Sequence, residues 1–127
     1  MKYIVTTDKS VAQAVEDLKH AVAAHNFGVL HVHNLKETMQ KKGVEFDQEC
    51  CILEVCNPHK AKQVLNADMS MNMALPCRIS VYEDAGETKI GMLRPERLLA
   101  ALSDSVELRE IAREVEDITI KIINQAS

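Results

Sequence analysis

Aromatic residues are scarce in this chain: no Trp, two Phe and two Tyr, 3% of 127 residues. Proteins that hold single-stranded nucleic acid stack bases on aromatic platforms, and this composition offers none. Basic excess is missing as well. Fifteen Lys and Arg stand against nineteen Asp and Glu, a formal net charge of −4, whereas a phosphate-tracking surface leaves a basic surplus. The sequence therefore argues against nucleic acid as a partner. Long apolar runs are absent too. The stretch after Met1 is far shorter than a signal-peptide core, and no later segment approaches membrane-spanning length. The expectation is a cytoplasmic protein without a membrane partner, in which Cys50, Cys51, Cys56 and Cys77 stay reduced.

What is present is material for one core. Hydrophobic residues make up 46% of the chain, and no linker, repeat or low-complexity tract divides it, so residues 1–127 read as a single domain. Residues 2–7 have strand character. Ser10 and Gln13 have the spacing of a capping box for a helix whose apolar seam is Val11, Val15, Leu18 and Val22. That helix is expected to stop near His25-Asn26-Phe27-Gly28.

Val29–Leu35 reads as a second strand, with Leu30 and Val32 on one face and His31 and His33 on the other. Asn34, three residues before Glu37, starts a short helix that Gly43 ends. Cys50–Cys56 is a third strand. Asn57-Pro58 opens a short helix to about Asn66, and the Met-rich segment 67–76 reads as an irregular connection. Cys77–Glu83 and Glu87–Leu93 are strands joined by a turn at Asp84-Ala85-Gly86. Arg94-Pro95 opens a helix through Leu102. A final helix over about 104–125 carries the seam Leu108, Ile111, Val115, Ile118 and Ile122, with Ile120 and Ile123 off it, as extra core or as a subunit contact. The order β-α-β(4)-α, with minor helices inserted, predicts an α+β domain: an antiparallel sheet with the long helices on one face and the other face open.

Strand alternation lists that open face. His31 and His33, then Cys50, Ile52, Glu54 and Cys56, then Arg78, Ser80 and Tyr82 point outward if the three strands are neighbours. Three uses compete. The face is solvated or buried in a dimer, with Glu54 and Arg78 pairing across strands. Alternatively it holds a small anionic ligand, with Arg78 as the bidentate donor and His31, His33, Glu54 and Tyr82 around it. The third use is a soft-metal or thiol-redox site built from His31, His33, Cys50 and Cys56, to which Met69, Met71 and Met73 would add copper(I) preference. The cysteines lack zinc-knuckle spacing, and Met-rich segments more often serve packing. There is no Gly-rich phosphate loop, nucleophile elbow or His-x-x-Glu-His-type motif. Catalysis is therefore not expected, and no cofactor is named. The favoured function is a non-catalytic module that binds a small ligand or a protein partner on the open face.

Three blocks carry a resemblance: Asn26-Phe27-Gly28-Val29-Leu30, the run Glu49-Cys50-Cys51-Ile52-Leu53-Glu54-Val55-Cys56-Asn57-Pro58, and Leu75-Pro76-Cys77-Arg78-Ile79-Ser80-Val81-Tyr82-Glu83. In content and order they resemble the domain of unknown function 302 family over nearly the whole chain. The resemblance implies a curved antiparallel sheet akin to that of TATA-box-binding protein, and a homodimer. It implies no activity, cofactor or catalytic residue.

Overall fold

The computed structural model describes residues 1–127. Five strands form one open antiparallel sheet: β1 (Lys2–Thr7), β2 (Gly28–Asn34), β3 (Cys50–Cys56), β4 (Cys77–Asp84) and β5 (Glu87–Leu93), in the order β1-β5-β4-β3-β2. Five α-helices, α1 (Val11–Ala24), α2 (Leu35–Lys41), α3 (Pro58–Ala67), α4 (Pro95–Leu102) and α5 (Val106–Ala126), complete the α+β fold with a 3₁₀ helix over Met69–Ala74.

Local chemistry sets the boundaries. Ser10 Oγ accepts the Gln13 N–H at 3.1 Å and starts α1, and Asn34 Oδ1 accepts the Glu37 N–H at 3.0 Å at the start of α2. At the start of α3 Asn57 takes the N–H groups of His59 and Lys60, with Pro58 at the first helical position, where a missing N–H costs nothing. The chain leaves α1 through Asn26, at φ 63°, so Asn supplies the left-handed residue and Gly28 already lies in β2. The hairpin between β4 and β5 turns on Ala85 and Gly86, with φ of 52° and 79°.

The core lies between one sheet face and the helices α1 and α5. Leu18 and Val22 of α1, Leu53 and Val55 of β3, Ile79 and Val81 of β4, Ile90 of β5, and Ile122 and Ile123 of α5 are its largest fully buried members. Burying one such side chain is worth roughly 1.5–3 kcal/mol. Ile123 is therefore core, and the partly buried Ile120 packs against the same cluster. A smaller cluster of Val64, Met71, Leu99, Leu108, Ile111 and Ala112 ties α3, α4 and the 3₁₀ helix to α5.

Two expectations need correction. Leu30 does not meet the helices. A β-bulge between Val29 and His31 makes Leu30 an extra, exposed residue, and Val29 and Val32 take the inward positions. The bulge restores phase, so His31 still pairs with Glu54 on the open face. Segment 67–76 is also not irregular throughout, since Met69–Ala74 is helical in the tighter 3₁₀ form, its first free N–H groups met by Asp68.

Candidate functional site

Because β2, β3 and β4 are neighbours, the side chains read as outward do share one face. His31, Glu54 and Arg78 lie abreast, as do His33, Ile52 and Ser80, and Cys50 pairs with Tyr82. The second of these rows runs on through Gly91 of β5 to Ile4 of β1, so it crosses all five strands.

The row's middle forms the floor of a groove of about 850 Å³. The groove sits where β4 begins and β5 ends. The segment entering β4 (Met71, and Met73 to Pro76) lines it together with α4, which follows β5 and contributes Pro95, Leu98, Leu99 and Leu102. Its lining is mostly hydrophobic. Lys2, Ser70, Arg78, Ser80, Tyr82 and Thr119 are the polar residues. Gly91 keeps the floor low: a Cβ there would stand 3.1 Å from Ile4 Cγ1 and 3.1 Å from the Tyr3 carbonyl oxygen. Neither Arg78 nor Lys2 has an acidic partner within ion-pair distance. The site thus joins apolar walls to two uncommitted cations.

The ligand candidates divide accordingly. Arg78 and Tyr82 line the groove, whereas His31, His33 and Glu54 occupy its β2–β3 flank. Glu54 does not take Arg78 as its partner. His33 Nε2 lies 2.5 Å from Glu54 Oε1, and the His31 and His33 rings meet edge to face with centroids 4.3 Å apart. Hydrogen bonding to His33 holds the Glu54 carboxyl below its ordinary range against some desolvation, and the fields of His33, Arg78 and His31 push the same way.

The metal candidates do not converge. Cys50 and Cys56 end the same strand, roughly 20 Å apart at 3.3 Å per residue, and nowhere do three His, Cys, Asp or Glu side chains gather as a metal site requires. Met71 is buried, and Met69 and Met73 are exposed. All four cysteines are free. Burial raises the pKa of Cys50, Cys51 and Cys56 and carries Cys77 to about 11, so the thiolate forms that bind metal or attack substrate are disfavoured.

Sequence reasoning missed half of the groove. Strand alternation reached Ile52, Arg78, Ser80 and Tyr82, but Lys2, Ile4, Gly91 and the α4 wall depend on β1 and β5 closing beside β4. The one local signal was Gly91, a glycine inside an otherwise strong strand, which marks a close backbone approach.

The model of the family described as "Domain of unknown function DUF302" matches residues 3–126. The chain belongs to this family. Its fold is similar to that of the uncharacterized conserved DUF302 protein of Bacillus stearothermophilus, with 33% sequence identity and a TM-score of 0.94 over 99% of this chain and 98% of that one. No curated protein matches the sequence. No helix in this member of the family is long and apolar enough to cross a membrane.

Proposed function

We propose that this DUF302 chain is a non-catalytic binding module that takes a small amphipathic anion in the groove on its open sheet face. One observation carries the reading: Arg78 and Lys2, both free of acidic partners, line a groove whose other walls are largely apolar. An apolar ligand body would lie over Ile4, Gly91 and Ser80 against Leu98 and Leu102. Its carboxylate or similar head would take Arg78, whose planar fork accepts such groups bidentately. The module is assigned to the cytoplasm, a reading that its free thiols support. The acidic balance and sparse aromatics support a partner other than nucleic acid.

The test is a titration with the fluorescent apolar anion 1-anilinonaphthalene-8-sulfonate. Saturable binding at one site per chain is expected. Ser80→Trp, which fills the floor, should abolish it, and Arg78→Gln should weaken it about ten-fold, the effect of one charge-assisted hydrogen bond. Binding that Ser80→Trp leaves intact refutes the reading.

A second reading rests on the groove's rim. Ile4, Leu93, Leu102 and Met73 are 45%, 51%, 54% and 82% exposed, and a second copy of the chain seated over them would bury this apolar set in a two-fold dimer. Light scattering through a dilution series separates the readings, because a monomer at every concentration rules out the dimer and leaves the groove open for ligand.

A further inference from the structure

A second cleft, about 620 Å³, opens on the other side of α4. The helix divides the two: Pro95, Leu98, Leu99 and Leu102 face the apolar groove, while Arg94, Glu96, Arg97 and Ala100 line the cleft. From α5 come Arg109, Arg113 and Glu116, one helical face at steps of four and three residues. The chain has five arginines, and four of them meet here.

Two of the four are held by the cleft's own carboxylates. Arg113 pairs with Glu96 at 3.0 Å and Arg94 with Glu116 at 3.4 Å. Glu116, itself only 8% exposed, also accepts the Glu96 N–H at 3.2 Å. These contacts fix α4 against α5 and hold the walls of the cleft. Arg97 and Arg109 have no acidic partner within ion-pair distance. Both nevertheless line the same cleft, whose Glu96 carboxyl is held low by its hydrogen bond to Arg113 and by the charges of Arg113, Arg109 and Arg97. Glu110 and Asp117 flank Arg113 along α5 and act on its charge, but neither lines the cleft.

We propose that this cleft binds a small phosphate-bearing molecule, with Arg97 from α4 and Arg109 from α5 gripping the phosphate. Four arginines less two glutamates leave a local charge of +2 in a chain of net −4. That surplus matches a phosphate monoester, which carries about −1.5 to −2 at neutral pH. Guanidinium forks on two helices suit the tetrahedral oxygens, each fork offering paired donors. The volume falls within the range of small-molecule sites and exceeds the needs of inorganic phosphate alone, which leaves room for an organic portion beside Ala100 and Met1. Without an anion, two uncommitted like charges face one cleft and repel each other, and a bound phosphate removes that repulsion.

Calorimetric titration with inorganic phosphate at constant ionic strength tests the site, with acetate as the monoanionic comparator. Wild-type protein should bind phosphate saturably at one site per chain, and more tightly than acetate. The double variant Arg97→Gln/Arg109→Gln should weaken phosphate about ten-fold or more. Arg97→Lys/Arg109→Lys, which keeps the charges but loses the forks, should fall between. Lys62→Gln, which removes an exposed charge on α3, should bind as wild type does. Both arginines are exposed and unpaired, so the variants should keep the native circular dichroism and midpoint of unfolding. Absence of saturable phosphate binding in the wild type, equal binding by the double Gln variant, or equal affinity for acetate would each overturn the proposal.

Discussion

His33 and Glu54 meet on a diagonal of the β2–β3 ladder: the direct cross-strand neighbour of Glu54 is His31, yet its carboxylate bonds His33 Nε2 at 2.5 Å. The bond holds the Glu54 carboxyl below its ordinary range, which fixes the sign of a pH effect. The unfolded chain takes up the proton first, so the stabilisation is complete above the unfolded value of about 4.3 and is lost as pH falls through the lower folded value. Glu54→Gln removes this term. Urea midpoints across the acid range should fall less steeply in Glu54→Gln than in wild type. Parallel acid limbs would show that the bond adds nothing to stability.

Glu116 supports a second prediction. Arg94, the residue before α4, contributes no side-chain cap, and the Glu116 carboxylate supplies an acceptor from the neighbouring helix by taking the Glu96 N–H. Truncation leaves that donor and Arg94 unsatisfied at a half-buried helix start. Glu116→Ala should cost about 1–3 kcal/mol in chemical denaturation, the range for orphaning a buried hydrogen-bond partner. An effect no larger than that of an ordinary surface substitution, about 0.5 kcal/mol, would show that water replaces the carboxylate there.

These two residues also show what was legible in the sequence. Glu54 was placed on the open face by alternation alone, since period two fixes which side chains share a face once a strand is recognised. Its partner was not, because choosing His33 over Arg78 depends on rotamers and diagonal reach, which register does not encode. Leu30 misled for a related reason. A bulge inserts one residue without any composition signal at that position, and alternation continued across it assigns the wrong face. The core side of α5 was readable from its period, but Ile123 became core only because α5 packs beside α1 over the same sheet face. The two clefts depend on how α4 packs against α5 after the chain leaves β5, a relation between consecutive elements that residue period does not encode. Four arginines within residues 94–113 were the only local hint of the second cleft.

The thiols give a third prediction. Burial raises the pKa of all four cysteines, most for Cys77, at about 11. Iodoacetamide reacts with thiolate, so at mildly alkaline pH the native protein should alkylate far more slowly than the urea-unfolded chain, with Cys51 and Cys77 last. Peptide mass spectrometry over a labelling time course reads the order directly. Rapid modification of Cys77 in the folded protein would contradict its raised pKa. It would also reopen the thiol-redox reading.

The fourth prediction concerns the floor of the groove. Gly91 pairs with Ile4 on one side and Ser80 on the other, and a methyl group there meets a movable atom, Ile4 Cγ1, and an immovable one, the Tyr3 carbonyl oxygen, each at 3.1 Å. Gly91→Ala should therefore destabilise the protein by about 1–3 kcal/mol, as overpacking does, despite the usual advantage of Ala over Gly in the unfolded-state entropy. Ile4→Ala relieves only the side-chain contact. The double variant Gly91→Ala/Ile4→Ala should then recover part of the loss and not all of it, a coupling that a double-mutant cycle measures. Complete recovery would mean that β1 shifts freely to clear the carbonyl, so that glycine is needed only for the space Ile4 occupies. Partial recovery, together with weakened anilinonaphthalene sulfonate binding in Gly91→Ala, would mean that backbone proximity across β1 and β5 requires the glycine, and that the same bare backbone keeps the groove deep enough for a ligand.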